Sequence, residues 1–108
     1  MNNTAATLQE LFNRIPRRHS LENVKEIYTL LDEYEEVLIS IEAINAFYEK
    51  NIPVFFDELE QVRATIKRST DNKASKKNKD NLFDEGSGNL KDSMQQLMEV
   101  YADGERTS

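Results

Sequence analysis

Residues 24–66 decide the fold, and their sequence is VKEIYTLLDEYEEVLISIEAINAFYEKNIPVFFDELEQVRATI. Apolar side chains recur in this stretch every three or four positions, which places them on one stripe of an α-helix. In a heptad repeat that starts at Val24, twelve of the thirteen a and d positions are apolar or aromatic. We call these twelve residues the apolar seam: Val24, Ile27, Leu31, Tyr34, Leu38, Ile41, Tyr48, Ile52, Phe55, Leu59, Val62 and Ile66. The pattern predicts an all-α fold.

The apolar seam needs a second helical surface, because an exposed apolar stripe of this length is not stable in water. Leu30, Val37 and Ile44 widen the stripe through its first half, which favours a helical bundle over a simple two-stranded coiled coil. Asn45 is the one polar residue at a heptad core position. It either fixes the register and the choice of partner helix or lies at a helix end, where it fixes neither.

Pro53 leaves two architectures open. Together with Asn51, it is typical of a helix end followed by a new helix start, which gives a helical hairpin with arms near 21–50 and 53–69. The heptad repeat, however, passes through Pro53 without a change of phase, as one long kinked helix requires. Both architectures pack as a coiled coil or bundle, so the fold class is the same.

The chain is expected to have three parts. Residues 1–69 form the helical region, which includes a short helix at 4–15. Residues 70–88 are predicted to be a disordered linker, because they are basic and polar and end in Gly-Ser-Gly. Residues 89–108 are predicted to form a short amphipathic helix and a tail. That helix either packs on the bundle or binds a separate chain.

The residue content argues against a catalytic site. The chain has no cysteine, three glycines and one histidine, His19. A thiol nucleophile, a zinc–cysteine site, a paired Glu-x-x-His di-iron site and a glycine-rich phosphate loop are therefore all excluded. We expect a protein that is not an enzyme and that has neither a metal nor another cofactor.

Charge and hydropathy narrow the class of protein further. Twenty acidic and fourteen basic residues give a net charge of −6, and the acids fall outside the apolar seam, as on a solvated helix face. No apolar run approaches the roughly 18 residues of a membrane-spanning helix. We therefore expect an intracellular protein without a membrane span, cytoplasmic or, from a eukaryotic source, nuclear.

A lysine-rich motif lies in the predicted linker. Lys76, Lys77 and Lys79 match the short basic pattern that nuclear import receptors bind as an extended peptide. The same lysines are candidates for contact with an anion, or they only keep a linker solvated. No aromatic residue accompanies them, so we do not expect nucleic acid as the partner.

A second motif, Arg17-Arg18-His19-Ser20, fits the R-R-x-S pattern of basophilic kinases. Ser20 is also expected to cap the helix that follows. A phosphate on Ser20 would then meet the free N–H groups and the positive end of that helix. The plain alternative is a helix cap preceded by a basic loop.

These observations favour a protein–protein interaction module: a small structural or adaptor subunit that binds another helix, from its own copy or from a different chain, through the stripe at 24–66. The alternative is a small acidic antagonist, of the phage or immunity type, that folds as a monomeric helical bundle and blocks a basic site. The candidate partner-binding residues are Val24, Ile27, Leu31, Tyr34, Leu38, Ile41, Tyr48, Phe55, Leu59, Val62, Ile66, Met94, Leu97 and Met98.

Overall fold

Five helices follow one another in the computed structural model, which describes residues 4–107. The helices are α1 (Thr4–Asn13), α2 (Leu21–Glu42), α3 (Ala46–Asn51), α4 (Pro53–Arg68) and α5 (Lys76–Thr107). The all-α prediction is confirmed. The predicted short helix at 4–15 is α1, which ends two residues earlier.

The long helices form an up-and-down bundle that is 49 Å long and 22 by 17 Å across. Helix α2 packs against α3 and α4, α4 packs against α5, and α1 lies between α2 and α5 and closes the ring. His19, just before α2, meets Asp80 near the start of α5, and Tyr34 farther along α2 meets Ser93 farther along α5, so these two helices are parallel. Ile66 near the end of α4 faces Gly86, whereas Glu58 near its start reaches Ser93, so α4 is antiparallel to α5. Arg14 at the end of α1 reaches Glu26 near the start of α2.

The hairpin turn lies at residues 43–45, several residues before the predicted break at Pro53. Asn45 has an extended backbone, with φ of −163° and ψ of 177°, and its Oδ1 accepts the N–H of Tyr48 at 3.0 Å. It is therefore the N-cap of α3, because its side chain satisfies one of the free N–H groups of the first turn. The structure thus supports the expectation that Asn45 lies at a helix end, and not the alternative that it fixes the register and the choice of partner helix.

Pro53 is the first residue of α4. A proline is tolerated at this position because the N–H that it lacks would have no partner within the helix. The preceding Ile52 keeps a right-handed helical backbone (φ −81°, ψ −33°), and its N–H donates to the carbonyl oxygen of Tyr48 at 2.8 Å. Helices α3 and α4 therefore continue each other with only a local break. This continuity explains why the heptad repeat passes through Pro53 without a change of phase.

The predicted disordered linker at 70–88 is corrected by the structure. A turn at 69–75 leads into α5, and the helix expected to begin at residue 89 is only its second half. The turn has internal hydrogen bonds, and Ser75 Oγ accepts the N–H of Asn78 at 3.1 Å, as an N-cap does. Average composition was misleading here, because a few small and apolar residues form one stripe along a largely polar helix.

Phe83 and Gly86 show why the stretch is ordered. The Phe83 ring is completely buried, although it lies within the stretch predicted to be a disordered linker. Gly86 faces Ile66 on α4, and a Cβ at residue 86 would lie 2.6 Å from Ile66 Cδ1. The Gly-Ser-Gly sequence therefore allows two helices to approach closely, and it does not act as a flexible hinge.

We expect Phe83→Ala to lower the free energy of unfolding by about 3–5 kcal/mol, since it empties a fully buried aromatic site. Urea unfolding followed by circular dichroism measures the change. Asn81→Ala is the matched control, because Asn81 is exposed on the same helix and should change stability by less than about 0.5 kcal/mol. A loss below about 1 kcal/mol for Phe83→Ala would mean that this part of α5 is not docked.

Replacement of two glycines of α5 by alanine should change the stability of the protein in opposite directions. Nothing lies within 4 Å of a Cβ added at Gly88, so Gly88→Ala should stabilise the protein by about 0.5–1 kcal/mol through helix propensity alone. A Cβ at Gly104 would overlap the buried Tyr48 ring, so Gly104→Ala should destabilise it by about 1–3 kcal/mol. Thermal melting compares the two variants, and stabilisation by both would place α5 farther from α3.

Candidate functional site

The apolar seam is the core of the chain itself. Each of its twelve residues is at most 7% exposed, and Met94 and Leu97 are completely buried beside them. Met98 is partly buried against the same core. The expectation that these side chains bind a partner is therefore corrected, because helices α1 and α5 already cover the stripe. Of the two alternatives for the C-terminal helix, the structure supports packing on the bundle, and the sequence analysis missed only the first part of this cover, which it placed in a disordered linker.

Two arginines hold the acidic helix α2 to its neighbours. Arg14 lies 3.0 Å from carboxylate oxygens of Glu26 and of Glu33, whose hydrogen bonds raise the pKa of its guanidinium. Arg63 forms the equivalent pairs across the α2–α4 interface, 3.0 Å from Asp32 and 3.1 Å from Glu35. These arginines are therefore not free to bind another molecule.

The most organised polar feature of the interior is a hydrogen-bonded chain from Tyr34 through Ser93 to Glu58. Tyr34 Oη and Ser93 Oγ are 2.9 Å apart, and Ser93 Oγ donates to Glu58 Oε1 at 2.7 Å. Because the single serine proton goes to the carboxylate, Tyr34 is the donor to Ser93. The chain joins α2, α5 and α4 at the middle of the bundle.

Burial raises the pKa of Tyr34 well above the ordinary value of 10.0. The hydrogen bond between Tyr34 and Ser93 lowers the pKa of Tyr34 but is the smaller effect. The folded state therefore favours the neutral phenol. Its contribution to stability is complete below pH 10 and is lost as the pH rises further.

Glu58 and Ser93 open onto a groove between α4 and α5, which we call the polar groove. Its volume is about 230 Å³, and its lining residues are Glu58, Gln61, Val62, Asn89, Asp92, Ser93 and Gln96. Neither Glu58 nor Asp92 has a cation within 4.0 Å among residues 4–107. Two carboxylates and three amides thus form a negatively charged, hydrogen-bonding surface.

The residues of the polar groove were not singled out from the sequence. Ser93 interrupts the apolar stripe of α5 between Leu90 and Leu97, and this polar interruption was the one available signal. Glu58 lies outside the apolar seam and belongs to no motif that would single it out. It lies 35 residues from Ser93 in the chain, so only the packing of α5 on α4 brings the two together.

The histidine lies far from the polar groove. His19 Nδ1 is 3.6 Å from Asp80 Oδ1, and its ring packs edge-on against Phe83 with the centroids 5.6 Å apart. Ser93 therefore has no imidazole beside it to serve as a general base. Within residues 4–107, no group of three or more His, Asp or Glu side chains is arranged to hold a metal ion.

Ser20 is the N-cap of α2, as the sequence predicts. Its backbone is extended, and its Oγ accepts the N–H of Asn23 at 3.0 Å. Ser20, Arg17 and Arg18 are all exposed in a non-helical segment. Phosphorylation of Ser20 stays a prediction.

Lys76, Lys77 and Lys79 lie in the first turn of α5 and are not part of an extended linker. Import receptors bind extended basic peptides, so the import interpretation loses the backbone conformation on which it depends. Contact with an anion stays a prediction, because Lys76 and Lys77 are exposed and Lys79 is half-buried. No helix between residues 4 and 107 has the length and apolar content that crossing a bilayer requires.

The hydrogen-bonded chain predicts unequal effects for its two hydroxyl groups. Ser93→Ala leaves the buried Tyr34 hydroxyl without its acceptor and should cost about 1–3 kcal/mol, whereas Tyr34→Phe should cost about 0.5–1.5 kcal/mol. The double variant should lose less than the sum of the two. Urea unfolding of all three variants tests this, and strict additivity would show that the hydroxyls do not interact.

Comparison of the chain with protein-family models, with curated proteins and with solved structures gives no match. Its function is therefore inferred from the arrangement of its own residues.

Proposed function

We propose that this chain is a non-catalytic binding protein that acts as a closed helical bundle and binds a basic segment of a protein partner through its acidic surface. The observation that carries the proposal is the closure of the apolar seam within the chain. With the seam covered, most of the residues that remain exposed are polar or charged. Of the two functions inferred from the sequence, the acidic antagonist fits this closed bundle better than a subunit that binds another helix through an exposed stripe.

The polar groove supplies a specific contact for such a segment. Its carboxylates at Glu58 and Asp92 lack a cationic partner among the described residues, and its amides at Gln61, Asn89 and Gln96 can accept further N–H donors. Its volume of about 230 Å³ lies below the roughly 300–1,000 Å³ of typical small-molecule pockets. A lysine or arginine side chain therefore suits it better than a cofactor.

The position of Glu58 also favours this use. Its Oε1 accepts the Ser93 hydroxyl, which holds the carboxylate in one orientation at the wall of the groove. A charged group fixed in this way loses little side-chain entropy on binding, so its charge-assisted hydrogen bonds stabilise the complex more fully. The remaining acids of the surface would increase the rate of encounter with a basic partner.

The test compares Glu58→Gln/Asp92→Asn with Asp57→Asn/Glu99→Gln. Both pairs remove two charges from α4 and α5, but Asp57 and Glu99 are exposed outside the groove. Binding of a short oligolysine peptide is measured by fluorescence anisotropy. The groove variant should bind at least about tenfold more weakly, because each lost charge-assisted hydrogen bond costs about 1.5–3 kcal/mol.

The control pair should change the affinity for oligolysine by much less, through general screening alone. An equal loss for both variants would show that the peptide senses only net charge. Unchanged binding by both variants would show that these acidic residues do not bind the peptide, which would contradict the proposal.

A structural or adaptor subunit is the second candidate, and one observation favours it. Ile39, Ile44 and Val54 are 55%, 49% and 54% exposed, and all three lie at the end of the bundle where α2 turns into α3 and α4. Sedimentation velocity separates the candidates. A monomer that stays monomeric supports the binding protein, whereas self-association that Ile39→Ser/Ile44→Ser abolishes supports the subunit.

A further inference from the structure

Three separate segments bring basic residues to one end of the bundle. The loop before α2 meets the start of α5 through the contacts of His19 with Asp80 and Phe83. One surface depression is lined by Arg17 and Arg18 from that loop and by Lys76 from α5, together with His19, Asp80 and Asp84. A second depression joins Arg68 at the end of α4 to Asn78 and Asn81 on α5.

We call residues 16–21 and 67–79 the basic cap. It contains eight cations and the single carboxylate of Asp71, a net charge of +7 in a chain whose total is −6, so the rest of the chain carries −13. None of the eight forms an ion pair with a residue that the structure describes. The eight cations are Arg17, Arg18, Lys67, Arg68, Lys73, Lys76, Lys77 and Lys79.

The acids closest to the basic cap have other roles or lie at its edge. Asp71 Oδ1 accepts the backbone N–H of Lys73 at 3.0 Å, which shapes the turn. Asp80 faces His19. Glu22 on α2 and Asp84 and Glu85 on α5 are exposed at the margin, and Glu85 lines the second depression together with Arg68. The basic cap therefore has an excess of positive charge that is not neutralised by ion pairs with the described residues.

Leu21 indicates what kind of anionic surface the cap fits. It is the first residue of α2, directly after the loop that carries Arg17 and Arg18, and it is 81% exposed. The aromatic Phe83 near this end is completely buried, and the His19 ring packs against it. The cap thus presents an apolar side chain among cations but no exposed aromatic ring on which a nucleic-acid base could stack.

We propose that the basic cap binds the surface of an anionic lipid membrane, with the bundle standing end-on and Leu21 entering the interface. Lysine and arginine side chains close to such a surface are attracted by its negative potential, and an adjacent apolar side chain adds to the affinity. The attraction acts over about 8 Å at physiological ionic strength. Most of the acidic body of the 49 Å bundle lies beyond that range in this orientation.

The expected affinity is modest and reversible. Each cation close to the surface contributes about fivefold to the partition coefficient, so a pair contributes on the order of 30-fold. The polar groove, midway along the bundle, would stay accessible while the cap is bound. The membrane contact is therefore separate from the proposed binding of a basic protein segment and does not depend on it.

Co-sedimentation of the full chain with vesicles tests the proposal. Binding should occur to vesicles of phosphatidylcholine mixed with phosphatidylglycerol, weaken steeply with added salt, and be absent with phosphatidylcholine alone. Arg17→Ser/Arg18→Ser and Lys76→Ser/Lys77→Ser should each lower the partition coefficient on the order of 30-fold. The two pairs lie far apart in the sequence, so similar losses for both, with little loss for the control pair below, indicate that they share one surface.

Lys50→Ser/Arg106→Ser is the matched control, because it removes two exposed cations from the opposite end of the bundle. It should change the partition coefficient far less than either cap variant. Leu21→Ser should weaken binding while leaving its salt dependence unchanged. Circular dichroism melts confirm that each variant is folded, as expected for substitutions at exposed positions.

Three results would overturn the proposal. The first is no binding to anionic vesicles at low salt. The second is an equal loss for the control pair and the cap pairs, which would show that only net charge matters. The third is binding to a DNA duplex, lost in the cap variants, without binding to vesicles; the cap would then be a nucleic-acid surface.

Discussion

The close packing of α5 against α4 is the contact on which the rest of the structure depends. Gly86 lets α5 approach α4 at Ile66, and near the other end Gly104 leaves room for the Tyr48 ring of α3, which continues into α4. Tyr48 Oη also donates to the carbonyl oxygen of Tyr101 at 2.8 Å. With α5 in this position the stripe of α2 and α4 is covered, and without it that stripe would face water. Small residues at the crossing points thus matter as much as the large apolar ones.

The sequence predicts the features that depend on residues close together in the chain, such as helix faces and helix caps. Periodicity from Val24 identifies twelve residues that are all buried, because one helix face is defined by neighbours three and four positions away. Ser20 was identified as a cap from a single residue and its position. The hairpin turn was misplaced because Pro53 is a stronger local signal than Asn45, although a proline at the first position of a helix need not redirect the chain.

The candidate surfaces could not be predicted in the same way, because they join residues that are distant in the chain. Glu58 and Ser93 meet across an interface, and Arg17 approaches Lys76 only after the bundle closes. Arg63 shows why charge content alone does not define such surfaces, since in the sequence it directly precedes the basic stretch at 67–79. In the structure it lies 3.0 Å from Asp32 and 3.1 Å from Glu35. What the fold leaves unpaired, and not what the sequence contains, defines the charged surfaces.

The seven-residue turn at 69–75 has a consequence for assembly. It is the one connection through which α5 folds back onto its own α4, and it must reverse the chain direction between them. If the turn were shortened until it could not reverse, α5 would extend away and cover the exposed stripe of a second copy instead. Two chains would then exchange their last helices and form a domain-swapped dimer in which each core keeps the same contacts.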